Sequence, residues 1–208
     1  MKIINGIATS LNRDIPFSLF KHEKLSEKLA IILPGAGYST QAPLLHFTKG
    51  VFFNRGFDVL QVNYSYLQDV LSSLSEEEFT ADVLSAIEKA ASNDDYSQYT
   101  FIAKSIGTIA LTYLLQKPNF QSANAVWLTP LLKREDVYNA LMKNDNHGVC
   151  IIGDKDPHYI TTRFEAILNN KSLRAILIND ADHSLEVQKD LLKSIEILKE
   201  VITKLNEF

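Results

Sequence analysis

Phe101-Ile102-Ala103-Lys104-Ser105-Ile106-Gly107-Thr108 is the stretch on which the fold turns. Apolar residues of strand type run up to Ser105. A helical pattern that is apolar almost all round follows directly, through Ile109, Ala110, Leu111, Tyr113, Leu114 and Leu115. A strand that passes into a helix this abruptly must turn sharply. Ala103 and Gly107, two residues either side of the serine, are small enough for the two backbones to come close. The serine hydroxyl then stands at a helix N-terminus, where backbone N–H groups favour negative charge. The same residues also fit an ordinary serine cap between a strand and a helix, so the surrounding chain has to decide.

Outward from this turn the chain alternates. Strands are expected over about 28–34, 58–64, 99–104, 123–129, 148–153 and 173–179, preceded by a hairpin of 2–9 and 15–21 around Asn12-Arg13-Asp14. Helical patterns lie between them. One over roughly 41–55 carries Leu44, Phe47, Val51 and Phe52 on one face and stops at Gly56. A second opens on the capping box Ser75-Glu76-Glu77-Glu78 and buries Phe79, Val83 and Ile87. Its acids complement the helix dipole and are not read as a catalytic cluster. A third, 107–116, is apolar enough to be the buried central helix. Shorter helices are expected at 135–143 and 159–169. The last, from Glu186, should dock through Leu191, Ile195, Leu198, Ile202 and Leu205. Alternation of this kind predicts a mostly parallel sheet with helices on both faces, in a single domain over 1–208 with no linker or repeat.

In such a sheet, chemistry gathers where strands end. Four ends carry unusual residues. Ala103-x-Ser105-x-Gly107 matches the G-x-S-x-G turn that presents a nucleophilic serine, with alanine for the first glycine. Gly153-Asp154-Lys155-Asp156-Pro157 offers acids, or simply a polar turn. Asp180-Ala181-Asp182-His183-Ser184 offers a histidine, with His158 beside the acid turn a minor competitor. His22, His46 and His147 fall away from these ends. Pro34-Gly35-Ala36-Gly37-Tyr38 is a glycine loop whose N–H groups can turn inward. A dinucleotide site would need a third glycine where Thr40 stands and an acid near Asn63-Tyr64, and no Gly-Lys-Ser/Thr follows for a phosphate loop. The order Ser…Asp…His, each at its own strand end, is that of one family of serine hydrolases and not of the two best-known serine protease folds.

Composition sets the boundaries. The apolar fraction is 46%, charged residues are 22%, and the net charge is -4 without a basic run, so nothing suggests a nucleic-acid phosphate partner and none is expected. The single cysteine, Cys150, lies in an apolar run and reads as a small buried hydrophobe, with no pair for a disulfide or zinc. The N-terminal apolar run is too short for a signal segment and no stretch reaches membrane-spanning length, so a cytoplasmic protein is expected, a monomer or homodimer without membrane partner.

With these motifs in this order, the chain resembles the α/β-hydrolase superfamily, in particular its short, lidless bacterial members of the dienelactone-hydrolase and small-esterase type. The resemblance spans nearly the whole chain. It implies an eight-stranded sheet with the second strand antiparallel and a minimal or absent lid. It makes Ser105 the nucleophile, His183 the general base and Asp156 the acid that orients it; Asp156 is favoured over Asp154 because the family's acid commonly sits third after a glycine and close to a proline. The oxyanion hole would be the N–H of Ile106 with that of Ala36, or of Gly37 or Tyr38 if the loop is set differently. Pro34 departs from the histidine many members carry before the loop glycine. Lys104 puts a cation beside the nucleophile, where it is expected to carry its head group to the surface rather than draw in anionic substrates.

The implied reaction is acyl transfer to water, on a small soluble ester or thioester, with no metal and no organic cofactor. The segment between Thr129 and Gly148 has no room for a large lid, and Tyr38, Tyr64, Tyr66 and Leu131 follow strand ends where they could line an acyl pocket or pack the rim. Two rival readings remain at this level: a non-catalytic binding or signalling module on the same fold, and the same triad acting on an amide or C–C bond.

Overall fold

The computed structural model describes residues 1–66, 70, 73–143 and 145–208. Its centre is a sheet of eight strands: β1 (Lys2–Ser10), β2 (Arg13–Lys21), β3 (Lys28–Leu33), β4 (Asp58–Val62), β5 (Gln98–Lys104), β6 (Asn124–Leu128), β7 (Gly148–Gly153) and β8 (Leu173–Ile178), in the spatial order β1-β2-β4-β3-β5-β6-β7-β8. β2 runs antiparallel to both neighbours, and every pair from β4 to β8 is parallel. Among the described residues the helices that cover it are α1 (Pro43–Asn54), α2 (Glu76–Ala91), α3 (Gly107–Leu114), α4 (Glu135–Lys143), α5 (Thr161–Ile167) and α6 (Leu191–Asn206).

The inner strands are continuous apolar runs because both of their faces are covered. Side-chain alternation sorts them into two cores. Ile31, Leu33, Phe101, Ala103, Trp127, Cys150 and Ile152 meet α2–α5 through Phe79, Leu111, Val137 and Phe164. Ala30, Ile32, Ile102, Val126, Leu128 and Ile151 meet α1 and α6 through Leu44, Phe52, Ile197 and Val201. Cys150 is buried as expected, and burial pushes its thiol up to about 12.

The expected elements are present, with shifts at their ends. The capping box of α2 forms in full: Ser75 Oγ accepts from the Glu78 N–H at 3.1 Å, and Glu78 Oε2 accepts from the Ser75 N–H at 3.1 Å. The last helix begins at Leu191 rather than Glu186, because Leu185 and Lys189 have positive φ and Asp190 serves as its cap. Its buried stripe is Ile197, Val201 and Leu205; Leu191 and Ile195, expected to dock, are exposed. On α1, Phe47 likewise faces out while Leu45 and Thr48 are buried.

At the sheet margin β1 pairs with β2 alone, and Ile3 and Ile7 on its outward face are about half exposed. Between β6 and β7 the described residues hold α4 and no larger insertion, as a lidless architecture requires. Among the described residues no helix is long and apolar enough to cross a membrane.

Candidate active site

The turn after β5 is as sharp as Ala103 and Gly107 imply. Ser105 adopts φ +53°, the left-handed region that a side chain enters only under constraint, while its N–H donates to the Leu128 carbonyl at 3.1 Å. Gly107 is required: a Cβ there would stand 2.6 Å from the Leu33 carbonyl oxygen, so α3 starts in contact with the end of β3. Ser105 is left 9% exposed at the carboxyl edge of the sheet.

Two other turns converge on it. His183 Nε2 is 2.8 Å from Ser105 Oγ, and His183 Nδ1 is 2.7 Å from Asp156 Oδ2. The Asp156 side chain is fully buried, and its second oxygen accepts from the His158 N–H at 2.7 Å. With both oxygens held, the carboxylate has one orientation to offer the imidazole. Asp154 sits apart, beside Lys155, with Oδ1 buried and unpartnered among the described residues. The acid and histidine turns pack backbone to backbone, for a Cβ on Gly153 would lie 1.9 Å from the Ala181 carbonyl oxygen.

His158 approaches by its ring, 5.1 Å from that of His183, but the structure gives it no bond to Ser105. Burial, with His183 nearby, holds its pKa below the ordinary histidine value. The remaining histidines serve elsewhere: His22 stacks on Phe53, His147 on Phe208, and His46 meets Phe47 edge-on.

The glycine loop crosses above the serine. A Cβ on Gly35 would stand 3.3 Å from Ser105 Cβ, and the Gly35 N–H is committed to the Tyr38 carbonyl at 3.1 Å. The N–H groups of Ala36 and Ile106 donate to no acceptor among the described residues, which leaves both free for a ligand oxygen. Ala36 and Gly37 are exposed.

The four residues considered for a pocket separate. Tyr64 is buried and donates its hydroxyl to the Pro34 carbonyl at 2.5 Å, which props the loop from beneath. Tyr66 donates to Asp82 Oδ2 at 2.9 Å, and Arg13 grips the same carboxylate with Nε at 2.7 Å. Leu131 is buried. Tyr38 lines a small apolar hollow of about 130 Å³ with Leu44, Ser184 and Leu198. A larger hollow of about 270 Å³ borders the site through Ile106, with Phe79, Ile109 and Leu74 on its walls and Arg134 at its edge. Arg134 is paired there with Asp136 and Glu76. Phe79 and Arg134 could not be placed beside Ile106 from sequence, because they come from another helix and from the loop before α4.

Lys104 differs most from expectation. It does not reach the surface: it is 1% exposed, because strand alternation turns it away from Ala103 into the core beneath α1 and α6. Its Nζ donates to Thr129 Oγ1 at 2.9 Å and to the His183 carbonyl at 2.6 Å, and lies 4.7 Å from the centre of the Tyr38 ring. Thr129, itself at φ +44°, went unnoticed in the sequence, although parallel pairing of Lys104 with Leu128 puts it next to Ser105.

No family model and no curated protein matches the chain. Solved structures do. A candidate α/β hydrolase of unknown function from Agrobacterium tumefaciens superposes with a TM-score of 0.75 at 18% identity, over 98% of this chain and 95% of that one. The Xanthomonas campestris protein XC6422, described as a serine hydrolase without a lid, gives 0.74 at 12% identity over 100% and 93%. Est1E from Butyrivibrio proteoclasticus gives 0.73 at 12% identity over 98% and 96%.

Proposed function

From the α/β-hydrolase fold that this chain has, we propose that it is a serine hydrolase that cleaves a small ester or thioester through an acyl-enzyme on Ser105. The observation that carries the reading is the unbroken relay Ser105 Oγ, His183 Nε2, His183 Nδ1, Asp156 Oδ2, with steps of 2.8 and 2.7 Å. His183 takes the proton of Ser105 as the oxygen attacks the carbonyl carbon. Asp156 accepts from Nδ1–H, which leaves Nε2 as the basic nitrogen and stabilises the imidazolium that forms. The carbonyl oxygen, now negative, is received by the N–H groups of Ile106 and Ala36, each such donor lowering the barrier by roughly 3 kcal/mol in comparable sites. His183 returns its proton to the leaving group, and water, deprotonated by the same nitrogen, releases the acid.

The hollow beside Ile106 supports a small acyl or leaving group with an apolar part and a polar end, since Phe79, Ile109 and Leu74 share its walls with Ser75, Glu76 and Arg134. It does not favour an anion: Arg134 already faces the two carboxylates of Glu76 and Asp136, so the edge is net negative.

A fluorophosphonate probe tests the reading directly. Wild-type protein should be labelled and Ser105→Ala should not; a folded wild type that resists the probe overturns the proposal. Asp156→Asn should slow labelling by several orders of magnitude, as loss of the orienting acid does in related sites. Asp154→Asn should leave the rate near wild type, and the reverse ranking would displace Asp156. p-Nitrophenyl esters of rising chain length, run beside acyl thioesters, then define the acyl group.

A further inference from the structure

A buried ammonium needs compensation, because removal from water disfavours the charged form. Lys104 has that compensation in three places at once. The ammonium has three protons to donate, and the strand end of β6 supplies the Thr129 hydroxyl, the glycine loop the Tyr38 ring face, and the histidine turn a main-chain carbonyl. These are the elements that meet around Ser105, and Lys104 is joined to that serine by one peptide bond.

We propose that Lys104 is a positioning residue that holds the histidine turn in place by binding the His183 carbonyl, and so fixes the distance from the imidazole to the Ser105 hydroxyl. The proposal rests on the serine-hydrolase reading for its effect on rate, and on geometry alone for its effect on the turn. The imidazole is then suspended from two sides, its ring by Asp156 and its backbone by Lys104. At 1% exposure the ammonium is closed off from a bound substrate, so it acts through His183 and not on the reacting carbonyl.

The charged groups that face it are Asp156 from the acid turn, with Asp182 and Glu186 from the histidine turn; each favours the ammonium. Burial outweighs them and lowers the pKa to about 8. The tyrosine hydroxyl of Tyr38 is engaged elsewhere, accepting from the Leu44 N–H at 3.1 Å, so only its ring confronts the cation. Above about pH 8 the amine is neutral, loses its attraction to the ring and to the three carboxylates, and loosens its hold on the turn.

The experiment uses the full chain and an alkyl fluorophosphonate, with the second-order labelling constant followed across the neutral and alkaline range. Wild type should slow above about pH 8. Lys104→Met, similar in length but without a donor, should label roughly tenfold or more slowly and lack that alkaline fall, as expected when a reacting group is displaced. Thr129→Val removes one acceptor without changing shape, and should move the fall to lower pH. Amide hydrogen exchange of residues 180–186 reads the turn without any reaction, and should quicken in Lys104→Met. Unchanged labelling, pH profile and exchange in both variants would overturn the clamp. If wild type resists the probe, the serine-hydrolase reading fails, and exchange alone decides the clamp.

Discussion

A lysine sealed away from water carries a cost that can be read as stability. Its folded pKa of about 8 lies below the ordinary 10.5, so between these values the unfolded chain binds more protons than the folded one. Stability therefore rises with pH through that window, and below it the fold bears a penalty on the order of 3 kcal/mol. Lys104→Met should remove this pH dependence: wild-type melting temperature should climb between about pH 8 and 10.5 and the variant's should not, and a wild type flat across that window would refute the shift. A melting temperature lower than wild type at neutral pH would show that the bonds to Thr129 and His183 outweigh desolvation. Residue by residue, the sequence disclosed the types and order of Ser105, Asp156 and His183, because strand ends are where a parallel sheet displays its chemistry. It misplaced the head group of Lys104, because a long cationic side chain is ordinarily solvated. What decided otherwise was the alternation of β5, which turns position 104 inward whatever the residue.

At the level of elements, the backbones are brought into contact by glycines of different standing. Gly107 and Gly153 each face a carbonyl oxygen that belongs to a strand or turn end and has nowhere to go. Gly107→Ala and Gly153→Ala should each destabilise by about 1–3 kcal/mol, as overpacking does, and slow labelling by separating the turns. Gly50, inside α1, meets nothing within 4 Å. Gly50→Ala should instead stabilise the helix by about 1 kcal/mol. Denaturant midpoints of the three variants check the contrast, and a stabilised Gly107→Ala would refute the close contact of α3 with β3. Helix starts were legible where a local signal exists, as with Ser75 and Glu78. The start of α6 was not, because Leu185 and Lys189 take left-handed conformations that their side chains do not announce. Nor was its docking face: Leu191 and Ile195 share helical spacing with buried residues but line the open hollow beside Tyr38 and Leu44 and remain exposed.

For the whole molecule, the sheet separates two cores that its strands fill from opposite sides, and the alternation of strand and helix segments made that layered layout readable in advance. The exchange of β3 and β4 in space was not legible, since parallel strands carry no mark of their neighbours; the resemblance supplied only the eight strands and the antiparallel second one. The margin of the sheet has a consequence of a more practical kind. β1 shows open N–H and C=O groups along one side and the side chains of Ile3 and Ile7 on its face. Concentrated solutions thus hold many copies of a ready template for strand pairing between molecules. Ile7→Lys, on the outward face, should leave stability within about 0.5 kcal/mol of wild type and delay turbidity on warming. Equal turbidity would clear β1 of the charge. A delay with Ile7→Lys would mean that shelf life is set at the strand four places across the sheet from the one that bears the serine.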